Sequence, residues 1–156
     1  MARISVIERE KKKAIMDELI YQLFLAEGWD AVTYDRLSKE LDMRKSTIQS
    51  YYEKSIMFAT ALQGRVFPLV IQKLDFSTKE AFLSSWANAY SDPDSHIFRE
   101  TVRMLLLNIV KPGTSPISRG AVVRLEKMLS ESIGDQEANL TIKEALGTTL
   151  YYQMTT

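Results

Sequence analysis

Apolar residues along the first third of the chain recur at helical spacing, not strand spacing. Ile15, Leu19, Leu23 and Ala26 fall at i, i+4, i+8 and i+11, with Ile20 and Phe24 widening the stripe. That pattern predicts a helix over about 8–27. Gly28 follows as a C-terminal cap, and Trp29 can fold back on the helix end. Thr33 then reads as an N-cap, with Asp35 placing negative charge in the first turn of a second helix from Tyr34 to about Leu41. This helix buries Leu37 and Leu41. Asp42 sits where the chain must turn, and aspartate enters the left-handed region at tolerable cost.

A third helix is expected from about 44 or 45 to Tyr52. At 100° per residue, Ile48, Tyr51 and Tyr52 share one side, while Ser46, Gln49 and Ser50 point the other way with Lys45 at the edge. Every outward group is a hydrogen-bonding or cationic one, of the kind that reads base edges and holds phosphates. The same face also fits an ordinary solvated helix.

Beyond it, Ile56, Phe58, Ala59, Leu62, Val66, Leu69 and Val70 predict a long fourth helix from about 54 to 74, kinked at Pro68. Helices are then expected over 79–91, 95–111, 117–132 and 136–153, with turn residues at 91–94, a loop at 111–116 and a break at Gly134-Asp135. No stretch alternates like a strand. The fold class is all-α.

The 156 residues suffice for one domain or two small ones. An apolar content of 46% and a charged content of 26% are ordinary for a globular protein. The absence of cysteine removes disulfides and thiolate chemistry, and fits a cytoplasmic setting. No apolar run reaches membrane-spanning length, and the charged segment 3–13 lacks the apolar core of a secretory signal. Net charge is zero but unevenly distributed. Arg3, Arg9, Lys11, Lys12 and Lys13 face only Glu8 and Glu10 in 1–13, and Arg44, Lys45 and Lys54 face only Glu53 in 43–54. Seven acids crowd the intervening stretch against Arg36 and Lys39. The cations therefore form two segments that a fold can bring to one surface.

The run Phe24-x3-Gly28-Trp29-Asp30-Ala31-Val32-Thr33, then Leu37-Ser38, Met43-Arg44-Lys45-Ser46-Thr47-Ile48 and Tyr51-Tyr52, resembles the tetracycline-repressor (TetR) family of transcriptional regulators over residues 10–62. Three positions depart from the family pattern. Asp42 stands where glycine is usual, Gln49 where an aromatic is usual, and Glu53-Lys54-Ser55 where proline-serine-lysine opens helix four. The resemblance implies a three-helix helix-turn-helix DNA-binding domain, here 1–54. It implies a helical bundle for dimerisation and effector binding, here 55–156. It further implies a homodimer on a palindromic double-stranded operator, acting as a repressor. Neither a cofactor nor a membrane partner is expected. In that reading Lys45, Ser46, Gln49 and Ser50 face base edges, while Thr33, Tyr34, Arg44, Thr47, Tyr51, Lys54 and Ser55 hold phosphates. The basic segment 3–13 either adds backbone contacts or is a solvated tail. Four helices follow the fourth, where the family commonly has five, so an effector pocket is expected to be small or absent.

Phe82, Trp86, Tyr90, Phe98 and Met104 are the residues expected to line a small apolar effector cavity, although their helical spacing also fits plain core. Val122, Leu125, Met128, Leu129, Leu146 and Leu150 exceed what one buried face needs, and predict a four-helix dimer interface built from two closing pairs. The alternative is that they cap the monomer core. Enzymatic chemistry finds no constellation. His96 is the one histidine and stands at a helix start, and no glycine-rich phosphate loop is present. A second reading keeps the same fold as a protein-interaction or ligand-sensing module with weak DNA binding, supported by zero net charge, Glu53 and Gln49.

Overall fold

The computed structural model of the chain describes residues 4–94, 96–110 and 116–156. Arg3 and all of the expected loop at 111–116 except Pro116 lie outside them. Among the described residues every regular element is helical. The chain forms two compact units, Met1–Val66 and Phe67–Thr156.

In the first unit, α1 (Val6–Glu27) starts at Ser5, whose hydroxyl accepts the Glu8 N–H at 3.1 Å. Gly28, at φ 90°, ends it by donating to the Phe24 carbonyl. A 3-10 turn, Trp29–Ala31, leads to Thr33, whose hydroxyl caps α2 (Tyr34–Leu41) by accepting the Arg36 N–H at 3.1 Å. Asp42 adopts the left-handed conformation, φ 52° and ψ 48°, as the turn requires. Ser38 fastens that turn at two points. Its carbonyl accepts the Met43 N–H at 3.1 Å and its hydroxyl donates to the Met43 carbonyl. After Arg44 comes α3 (Lys45–Tyr51). These short helices share a core of Met16, Ile20, Phe24, Leu37, Ile48, Tyr52 and Phe58, all fully buried. Phe58 lies against both Tyr34 and Tyr52, at centroid distances of 4.8 and 5.2 Å.

Three expectations need correction. On α1 the inward stripe is Met16, Ile20, Leu23 and Phe24, whereas Ile15 is 58% exposed and Ala26 is exposed. Leu41, expected to be buried, is only half-buried. The long fourth helix does not exist. In its place stand a 3-10 helix at Ser55–Ala61, turns at 62–66, and the short α4 (Phe67–Ile71). A continuous helix would press the Pro68 ring against the carbonyl four residues earlier, that of Gly64, and would lose the Pro68 N–H bond. The chain breaks there instead. Gly64 sits at φ +80°, and Pro68 falls in the first turn of α4, where its missing donor costs nothing.

In the second unit, α5 (Lys79–Ser91) is capped by Thr78, whose hydroxyl accepts the Ala81 N–H at 3.0 Å. His96 precedes α6 (Ile97–Val110), its carbonyl accepting the Glu100 N–H at 2.8 Å. The helices α7 (Pro116–Ile133) and α8 (Asp135–Thr155) are joined by Gly134 alone, at φ 86°, and pack on each other as a hairpin. Phe76, Phe82, Trp86 and Phe98 form a chain of ring contacts at 5.4, 5.9 and 5.1 Å through the core. Arg124 of α7 lies 4.1 Å over the ring of Phe67 on α4. Asn108 is the exception in this interior. It is fully buried and neither side-chain polar atom has a hydrogen-bond partner among the described residues, an arrangement that costs about 1–3 kcal/mol.

Candidate nucleic-acid interface

The outer face of α3 carries Lys45, Ser46, Gln49 and Ser50, all exposed, with no acidic residue among them. Arg44 precedes the helix and Lys54 follows it, both exposed. The helix buries Ile48 and Tyr51 on its other side, so its rotation about its own axis is fixed by packing. The crowded acids of α1 and α2 are largely answered within the unit. Arg36 donates to both carboxylate oxygens of Glu27 at 2.7 and 3.0 Å and to Glu40 at 2.9 Å. These bonds hold the Glu27 carboxyl below its ordinary range and the Arg36 guanidinium above its own. Glu18, likewise, is held low by hydrogen bonds from Arg65 and Gln22. Lys45 forms an ion pair with Asp35, tying the start of α3 to the start of α2.

Not every residue assigned to phosphates is free to reach one. Thr33 is exposed but its hydroxyl is occupied as the α2 cap. The Tyr34 hydroxyl donates to the Tyr52 carbonyl at 2.6 Å, and Thr47 is half-buried. Tyr51 is 9% exposed and covered by the Arg9 guanidinium, 4.0 Å above its ring. Arg44, Lys54 and Ser55 remain exposed beside the α3 face.

Arg9 belongs to this surface in a way the sequence did not reveal. The segment from Val6 onward is helical, so Arg9 and Lys11 to Lys13 project from α1 and are no solvated tail. Arg9 also donates to the Ser50 carbonyl at 2.8 Å, placing a cation at the negative end of α3. No local pattern announces a contact between residues 41 apart.

Beneath α3, Lys13 lies 4.6 Å over the Tyr52 ring and 3.0 Å from Asp17, and the Tyr52 hydroxyl donates to Asp17. Burial pushes the Tyr52 phenol above its ordinary value, and the Asp17 carboxylate raises it further. A raised phenol contributes stability that is whole below the ordinary tyrosine value, about 10, and is lost as pH climbs past it. Tyr52→Phe is therefore expected to cost about 1–3 kcal/mol in thermal or urea unfolding at pH 7. The gap between the two proteins should be constant up to about pH 10 and narrow above it. A gap independent of pH through about 11 would exclude the Asp17 bond as its source.

In the second unit a cleft of about 300 Å³ opens between α5 and α8. Of the residues expected to line an effector cavity, Trp86 and Tyr90 line this cleft, whereas Phe82, Phe98 and Met104 do not and are buried in the core. Of the residues assigned to a dimer interface, Leu125 and Leu129 are buried within their own unit. Val122, Met128 and Leu146 are half-buried, and Leu150 is 50% exposed. Leu140, Tyr151 and Met154, with Gly147 between them, form an exposed stripe along α8 at i, i+7, i+11 and i+14. Among the described residues no His, Asp or Glu cluster has the makings of a metal site, and no helix is long and apolar enough to cross a membrane.

Comparison with curated proteins finds no match. A family model described as the tetracycline repressor LuxT C-terminal domain matches residues 63–152, more than half of the chain. That segment takes in α4 to α8 almost completely, while the helix-turn-helix lies wholly before it. Since motif and matched domain adjoin in one all-helical chain, the protein belongs to the tetracycline-repressor family of regulators.

Proposed function

We propose that the protein is a sequence-specific DNA-binding repressor, dimeric and cytoplasmic, with residues 1–54 contacting DNA and residues 55–156 dimerising and binding a small effector. The observation that carries this reading is the acid-free outer face of α3, flanked by Arg44 and Lys54. Lys45, Ser46, Gln49 and Ser50 would meet base edges in the major groove, with Arg44, Lys54, Ser55 and Arg9 near phosphates. Packing of Tyr51 and Tyr52 holds the helix at one orientation, which sequence reading requires.

Dimerisation is supported by the stripe Leu140, Gly147, Tyr151 and Met154 on α8. Gly120 and Gly147 lie inside helices, where glycine costs about 1 kcal/mol relative to alanine, yet no atom of the described residues lies within 4 Å of the side-chain position at either. Close approach of a second α7–α8 pair gives both a reason to be small. Leu125 and Leu129 serve the monomer core, so the interface is shifted onto the outer face of the hairpin.

A second reading, a ligand-sensing or protein-interaction module with weak DNA affinity, draws on the Lys45–Asp35 pair, which partly neutralises the central cation. Selection of bound duplex from a random pool separates the two. A palindromic consensus with half-sites about 34–36 Å apart is the expected product. Recovery of no consensus at moderate salt would favour the second reading. Sedimentation of a monomer at micromolar concentration would exclude the dimer.

A further inference from the structure

We propose that the α5–α8 cleft is selective for lipophilic organic cations, such as compact aromatic amines or onium ions. This rests on the effector reading above and adds the charge of the ligand to it. The cleft walls are Trp86, Tyr90 and Tyr152, with Leu83, Ala87 and Ala145 between them. Several polar groups of these walls are turned to internal partners. Trp86 Nε1–H donates to Thr149 Oγ1 at 2.8 Å, Gln153 donates to the Tyr90 hydroxyl, and Thr149 itself donates to the Ala145 carbonyl at 2.9 Å. Ser91 likewise donates to the Ala87 carbonyl at 2.9 Å. What remains for a ligand is ring surface, aliphatic surface, the uncharged hydroxyls of Thr148 and Tyr152, and the carboxylate of Glu144.

Charge decides the class. Aromatic faces carry negative electrostatic potential, and Tyr90 and Tyr152 meet edge to face at 5.8 Å. Among the described residues lining the cleft, Glu144 is the one ionised group, and none is a lysine, arginine or histidine. Lys79 approaches Glu144 from outside at 3.4 Å, a long and half-exposed pair of small net worth. A ligand cation in the cleft gains both the carboxylate and the rings, whereas an anion of the same shape meets repulsion from both. The volume of about 300 Å³ stands at the lower end for small-molecule sites and suits a compact ring system.

Tetraphenylphosphonium and tetraphenylborate, matched in size and opposite in charge, test this on the full chain. Trp29→Phe leaves Trp86 as the sole tryptophan, because the chain has two. The phosphonium should change Trp86 emission saturably, with an apparent Kd at least about tenfold below that of the borate. Glu144→Gln should erase most of that preference, and Tyr152→Ala, at a half-exposed position, should weaken both ions. Equal affinity for the two ions, or preference for the borate, overturns the cation assignment and leaves the effector cleft standing. If neither ion binds, or Tyr152→Ala changes nothing, the cleft is no ligand site and the effector reading falls there too.

Discussion

Lys45→Glu should reduce affinity for the selected duplex by about 100-fold or more at moderate salt, measured by fluorescence anisotropy. Removing one base-edge interaction is worth about 1–3 kcal/mol, and the new carboxylate adds repulsion from phosphate and from Asp35 beside it. The Lys45–Asp35 pair makes the prediction two-sided. Asp35→Asn releases Lys45 and removes an anion from the interface, so it should tighten binding. Arg44→Ala should act differently, weakening all sequences alike. The slope of log affinity against log salt should become shallower by about 0.9 for each phosphate that the arginine had neutralised. If Lys45→Glu and Arg44→Ala both leave duplex binding unchanged, the outer face of α3 is not the DNA-binding surface.

Phe58→Ala should be the most damaging single truncation in the first unit. Its ring is fully buried between Tyr34 and Tyr52, and removal of such a ring costs about 3–5 kcal/mol. Whole domains are stable by only about 5–15 kcal/mol. The variant should show a marked fall in the urea midpoint reported by Trp29 emission and should lose duplex binding at about 37 °C. Ile15→Ala, at a position 58% exposed, should move the urea midpoint little, as surface changes usually stay within about 0.5 kcal/mol. A Phe58→Ala protein with the parent midpoint would show that the 3-10 helix at Ser55–Ala61 is not part of the first unit's core.

The helix-turn-helix was legible because its signals are local. Thr33 caps within three residues, Asp42 takes the left-handed turn, and Ile48 with Tyr51 and Tyr52 sets the phase of α3. The face of α1 was harder, since Ile15-Met16 and Leu19-Ile20 put apolar residues side by side and two overlapping stripes fit the same spacing. Packing chose Met16 and Ile20. The fourth helix misled for the opposite reason. Phe58, Ala59, Leu62, Val66 and Val70 are buried as the periodicity demands, yet a 3-10 helix, a turn and the short α4 deliver them inward just as well. Periodicity reports burial, and only Gly64 with Pro68 reports the break. The cleft and the Arg9 bond to Ser50 join residues 41 or more apart or depend on gaps between helices, and neither leaves a mark in sequence spacing.

The single residue between α7 and α8 bears on how the chain folds. Closing a loop of one residue carries almost none of the entropy that distant contacts must overcome, so this hairpin can zip on the timescale of helix formation itself. The contacts of α5 with α8 span far more chain, the Trp86 bond to Thr149 joining residues 63 apart. Docking of Trp86 onto the hairpin is therefore expected to follow formation of the hairpin.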